Sequence, residues 1–116
     1  MNIPQDGFLL RVFLGESDRW QGQPLYEAIV LKARELHLAG ATVLRGPMGF
    51  GANSRLHTAK ILRLSEDLPM VIEIVDSKQK IDELLPHIDQ MVDEGLVTLE
   101  RVQVIKYRGK QADPTS

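Results

Sequence analysis

A chain of 116 residues with a formal net charge of −2 fits one domain and no more. It has no cysteine, which excludes a disulfide framework and thiolate metal sites. The charge is not the basic excess of a general nucleic-acid binder, and no apolar run approaches the ~20 residues of a membrane-spanning helix. No apolar run follows a basic start, so no secretion signal is read and the expectation is a cytoplasmic protein.

In chain order, residues 1–7 read as a flexible N-terminus and residues 8–108 as a single domain. Residues 8–14 form a first strand, with Phe8, Leu10, Val12 and Leu14 on one face and Leu9 and Phe13 on the other. Pro24 suits the first turn of a helix, where its missing N–H has no partner to lose. Leu25, Ala28, Ile29 and Leu36 give that helix an apolar stripe, and Gly40 is its expected stop. Residues 41–45 form a second strand. Residues 70–75, Met-Val-Ile-Glu-Ile-Val, form a third, and Asp76 or Ser77 can cap a second helix.

This second helix carries the clearest period in the chain, with Ile81, Leu84, Leu85, Ile88, Met91 and Val92 on one side. Pro86 lies inside it and removes one backbone bond, which predicts a bend, and Gly95 ends it. Residues 96–107 read as a long last strand whose apolar phase shifts between Leu99 and Val102. That shift means either a bulge or a strand apolar on both faces. Residues 109–116 are a polar, flexible tail.

The order β-α-β, long loop, β-α-β predicts an α+β two-layer sandwich of the ferredoxin-like kind, one antiparallel sheet with two helices on one face. Two helices cover one face only, so the other should be polar. Leu9, Phe13, Val71, Val75, Val97, Leu99 and Ile105 instead predict a second apolar face, covered by another subunit or by the long loop.

That loop comes after the second strand and is far longer than the usual four to six residues. Residues 45–65 contain no Asp or Glu but hold Arg45, Arg55, Lys60 and Arg63. The segment therefore carries +4 and leaves the rest of a −2 chain at −6. A local positive field on an acidic body suits a compact anion. Gly46, Gly49 and Gly51 allow close backbone approach, and successive free N–H groups can form an anion-binding nest. Asn53, Ser54 and Thr58 add donors. A small phosphate-bearing ligand fits this composition, and so does a solvated loop whose arginines keep it soluble. Residues 58–64 read equally as strand or helical turn. Phe50, between glycines, can stack on a base, dock a partner or tuck into the sheet.

His37, His57 and His87 are dispersed and predict no metal site. Ser54, His57 and Asp67 lack the nucleophile turn and oxyanion hole of a triad, so no catalytic residue is assigned. Trp20 reads as packing or interface burial ahead of ligand stacking. Residues 16–19, Glu-Ser-Asp-Arg, either touch a ligand or cap a turn.

Several strings occur together here: Gly15-Glu16-Ser17-Asp18-Arg19-Trp20, Pro24-Leu25-Tyr26-Glu27-Ala28-Ile29-Val30, Ala39-Gly40-Ala41-Thr42-Val43-Leu44-Arg45-Gly46 through Gly49-Phe50-Gly51, and Leu64-Ser65-Glu66-Asp67-Leu68-Pro69. With them the chain closely resembles an uncharacterised family of small bacterial and archaeal PII-like proteins, over about residues 9–108. The resemblance implies a ferredoxin-like subunit in a homotrimer whose sheets face the common centre. It implies an adenine nucleotide in clefts between subunits and makes the loop after Arg45 a T-loop that signals to a partner. Members of the family are often encoded beside fluoride exporters, which makes a membrane transporter or channel a candidate partner.

The resemblance also implies that Lys106 and Arg108, at the end of the last strand, meet phosphate. Arg45, Gly46, Gly49, Phe50, Gly51, Asn53 and Arg55 would line the neighbouring subunit's side. The glycine-rich, lysine-bearing phosphate loop of PII proteins is replaced by Asp93-Glu94-Gly95-Leu96-Val97. AMP or ADP is therefore expected ahead of ATP. The alternatives are a ligand-free interaction module and a minor nucleotide hydrolase.

Overall fold

The structure is a computed structural model that describes residues 6–49, 57–58 and 68–109. Its elements are β1 (Asp6–Gly15), β2 (Arg19–Trp20), β3 (Gln23–Pro24), α1 (Leu25–Glu35), β4 (Thr42–Arg45), β5 (Met48–Gly49), β6 (His57–Thr58), β7 (Pro69–Asp76), α2 (Lys78–Met91) and β8 (Leu96–Gln103). β4, β7, β1 and β8 form one sheet in that order, with every neighbouring pair antiparallel. This is the ferredoxin-like arrangement that the pattern predicts.

The core arises from strand alternation. Leu10, Val12 and Leu14 on β1 stand opposite Ile74, Ile72 and Met70 on β7, and all six are buried. Leu25, Ala28, Ile29 and Ala33 of α1 and Ile81, Leu84, Ile88 and Met91 of α2 close over them. Leu85 and Val92 pack against the rim of this cluster. Pro86 stays within a continuous α2, and both Pro86 and Asp82, whose carbonyl loses its partner, lie on the exposed side. Trp20 packs on the core, as expected of it.

Helix ends differ from expectation in instructive ways. α1 stops at Glu35, five residues before Gly40. His37 takes the left-handed conformation (φ 63°), its N–H donates to Arg34 O and the Leu38 N–H donates to Ala33 O. This is a Schellman motif, and Leu38 and Ala33, at the positions where its apolar pair belongs, are both buried in the core. Pro24 sits just before α1, not in its first turn. On α2 it is Ser77 that caps, its Oγ accepting from the Lys80 N–H at 3.3 Å. Gly95 lies four residues beyond α2, at the entry to β8, where a Cβ would stand 2.7 Å from Phe13 O.

Two strand boundaries also move. β1 starts at Asp6, and β8 ends at Gln103 where β1 runs out, so residues 104–107 are not strand. The β1–β8 register is unbroken, which removes the bulge. β8 is apolar on both faces, with Val97 and Leu99 on the helix side and Leu96 and Val102 on the open side. The predicted second apolar face is therefore corrected. Leu9, Phe13, Val71 and Val75 do share the open face, but Val97 and Leu99 do not, and Ile105 lies beyond the strand. At the centre of that face Arg11 Nε pairs with Glu73 at 2.9 Å and Arg11 Nη1 with Glu100 at 2.8 Å.

Candidate functional site

Two regions of the sheet hold chemistry. The first is the root of the long loop. The last β4–β7 pair is Arg45 with Met70, and the Gly46 N–H then donates to Pro69 O at 2.7 Å. A Cβ on Gly46 would lie 2.9 Å from Pro69 Cγ, and one on Gly49 3.0 Å. These two glycines make room for the proline ring. The Gly46 N–H is engaged, so the expected nest of free N–H groups does not begin there. β5 pairs with β6, Met48 opposite Thr58 and Gly49 opposite His57, so the loop opens as a short ladder.

Arg45 forms an ion pair with Glu16. The Glu16 N–H holds Leu68 O at 2.8 Å, so both ends of the loop are tied to the end of β1. Residues 16–19 thus build a turn. Asp18 accepts from the Gly15 N–H, and Arg19 reaches Gly22 O inside the β2–β3 hairpin. Phe50, Gly51, Asn53 and Arg55, with Ser54, Lys60, Arg63 and Asp67, lie outside the described residues.

The second region is a groove of about 620 Å³ on the open face. Its floor is Leu9, Arg11, Glu73 and Val75, one wall is residues 39–42 and the other is residues 102–107. The volume falls in the range of small-molecule sites, and the lining mixes apolar side chains with a few polar groups. Residues 104–107 reach across from the β8 edge. Val104 passes over Gly7, where a Cβ would meet Val104 Cγ2 at 3.1 Å, and the Tyr107 hydroxyl donates to Ala39 O at 3.0 Å. The Ala39 N–H donates to the buried carboxylate of Asp76 at 2.7 Å, and the other Asp76 oxygen accepts from the Ser77 N–H.

Of the expected ligand residues, Lys106 lines this groove and Arg108 is exposed just beyond it. Arg45 and Gly46 stand at the other end of β4, roughly 10–13 Å along the chain from Thr42. One protomer does not bring the two sets together. The sequence reading missed the groove. Its signal was Arg11 and Glu73, charged residues in the middle of two apolar strand sequences.

The guanidinium of Arg11 is raised above its ordinary value, first by its hydrogen bond to Glu73 and then by the charge of Glu100. It stays charged at every working pH. The Glu35 carboxyl is lowered, chiefly by its hydrogen bond to Lys32 and more weakly by His87. Among the described residues no three His, Cys, Asp or Glu side chains cluster as metal ligands, and no helix is long and apolar enough to cross a membrane.

The family model described as Uncharacterized ACR (DUF190) matches residues 7–104. A UPF0166 protein of Aquifex aeolicus is 39% identical over 97 residues, 84% of this chain and 91% of that one. A UPF0166 protein of Methanocaldococcus jannaschii is 31% identical over 99 residues, with the same shares. Among solved structures, CPII, a nitrogen regulatory PII-like protein from Thiomonas intermedia bound to ADP, AMP and bicarbonate, superposes with a TM-score of 0.63 at 15% identity. That superposition covers 87% of this chain and 90% of CPII, and it gives the fold as PII-like.

Proposed function

The chain belongs to the DUF190 family and has a PII-like fold, and on that premise we propose that it is a homotrimeric regulatory protein that binds an adenine nucleotide between subunits. The observation that carries the reading is the groove of about 620 Å³ on the open sheet face, on a fold shared with a protein solved with ADP and AMP. The groove offers apolar Leu9, Val75 and Val102 to a base and Lys106 to a phosphate.

In the assembly, Lys106 and Arg108 of one copy meet Arg45 and the loop root of the next. This reading accounts for their separation within one protomer. The half-buried Leu9, Phe13, Val71 and Val75 give the open face apolar area to bury between copies. The turn before β8 holds exposed Asp93 and Glu94, no lysine, and a Gly95 packed on Phe13. It repels a long phosphate chain, so AMP and ADP bind ahead of ATP. The role is regulatory and not catalytic, the loop between Gly46 and Pro69 carries the signal, and a membrane transporter is the candidate partner.

A thermal-shift panel of AMP, ADP, ATP, cyclic nucleotides and simple anions tests this. At ~100 Kd a bound nucleotide adds about 2.7 kcal/mol, a rise of roughly 10 °C in Tm for a domain of this size. The expected order is AMP and ADP above ATP, with a trimer by native mass spectrometry. No shift with any nucleotide removes the ligand, and a monomer removes the intersubunit cleft.

A further inference from the structure

The groove has one wall that belongs to no strand or helix. Residues 104–109 continue from β8 without regular structure, and Ile105 is 82% exposed. The segment is fixed at two points. Val104 packs over Gly7, where an added Cβ would crowd Val104 Cγ2 at 3.1 Å and Asp76 O at 3.3 Å. Tyr107 then bonds Ala39 across a sequence separation of 68 residues. Between these points Ile105 and Lys106 form the wall and touch solvent.

The two anchors differ in kind. The Tyr107 hydroxyl is an exposed donor on one hydrogen bond, which contributes modestly and exchanges readily with water. Its acceptor sits on an anchored residue. The Ala39 N–H, one peptide before the accepting carbonyl, is held by Asp76, which is 1% exposed with both oxygens hydrogen-bonded. Ala39 also comes directly after buried Leu38, locked by the Schellman bonds. A weak, exposed donor on a fixed acceptor is the arrangement of a catch that opens without disturbing the fold behind it.

We propose that residues 104–107 are a strap closing the groove and that the Tyr107 hydroxyl is its latch. Opening the strap admits a ligand, and closing it places Ile105 and Lys106 against the bound molecule. The ligand half of this statement rests on the function proposed above. The latch half does not.

Trypsin reads the strap directly, because Lys106 and Arg108 flank Tyr107. The full-length chain and its Tyr107→Phe variant are digested without ligand, and cleavage after Lys106 is followed by mass spectrometry. Each rate is normalised to the same bond in denatured chain. Loss of one hydrogen bond is expected to speed cleavage about two- to tenfold. Equal normalised rates overturn the latch. With AMP or ADP as the probe, cleavage after Lys106 slows in the wild type, and Tyr107→Phe raises the nucleotide's dissociation rate by about the same two- to tenfold factor. A bound nucleotide that leaves both the cleavage rate and the dissociation rate unchanged overturns the strap as a gate. If neither nucleotide binds the wild type, the functional reading fails, and the ligand-free digestion alone decides the latch.

Discussion

The two faces of the sheet are made by the same strands and yet obey different rules. On the helix side Leu10, Val12, Ile72 and Ile74 are 1% exposed or less and belong to one apolar cluster. On the open side the alternate residues Leu9, Phe13, Val71 and Val75 are half-buried and surround an ion triad, Arg11 between Glu73 and Glu100. A closed core tolerates no uncompensated charge, whereas a face that meets water or a second copy can carry one. The difference teaches that one face stores the stability of the protomer, while the other is left half-buried and charged at its centre.

Adjacent residues of β1 give the sharpest way to break that contrast. Leu10→Ala opens a cavity in the core and is expected to cost about 2–5 kcal/mol in urea unfolding at low protein concentration. Leu9→Ala, one residue earlier, should cost the protomer only about 1 kcal/mol. It should act instead on assembly, measured by sedimentation. Equal losses at the two positions would mean that the faces do not divide the work.

A smaller effect sharpens the same comparison. Arg11→Met leaves Glu73 and Glu100 facing each other without a cation, at a site where all three side chains are about a third or more exposed. The expected result is a small drop in the urea midpoint at low salt, shrinking as ionic strength rises. A loss that salt does not touch would place the triad in a drier setting than the protomer gives it.

The smallest effect lies off the sheet, on α1. Glu35 is held below its ordinary 4.5 by Lys32, so its contribution is full above that value and fades as pH falls through the lower folded value. Glu35→Gln should leave Tm nearly flat at neutral pH and flatten slightly the wild-type decline in acid. The surface setting keeps the effect near the limit of measurement.

What the sequence made legible was local. The alternation of residues 8–14, the apolar run 70–75 and the spacing from Ile81 to Val92 named the central strands and α2, because period and burial agree there. The end of α1 was misplaced because a histidine, not a glycine, takes the left-handed position, held by two backbone bonds and the burial of Leu38. The last strand was drawn too long because its length is set by β1, some ninety residues away, and not by its own β-branched residues. The groove showed only as two mid-strand charges, for the same reason. Arg11 meets Glu73 and Tyr107 meets Ala39 across 62 and 68 residues. The loop root lay between these cases: its glycines stood out, but their use against Pro69 did not.

The proline seated between Gly46 and Gly49 has an architectural consequence. With the Gly46–Pro69 hydrogen bond it brings the two ends of the long loop to one point on the sheet. Closing a loop whose ends are already joined costs little more as it grows, roughly 0.6 kcal/mol for each doubling of length. The sheet therefore tolerates a change in the length of that connection at little cost. The joint of Gly46, Gly49 and Pro69 is the fixed point of the fold at this end of the sheet.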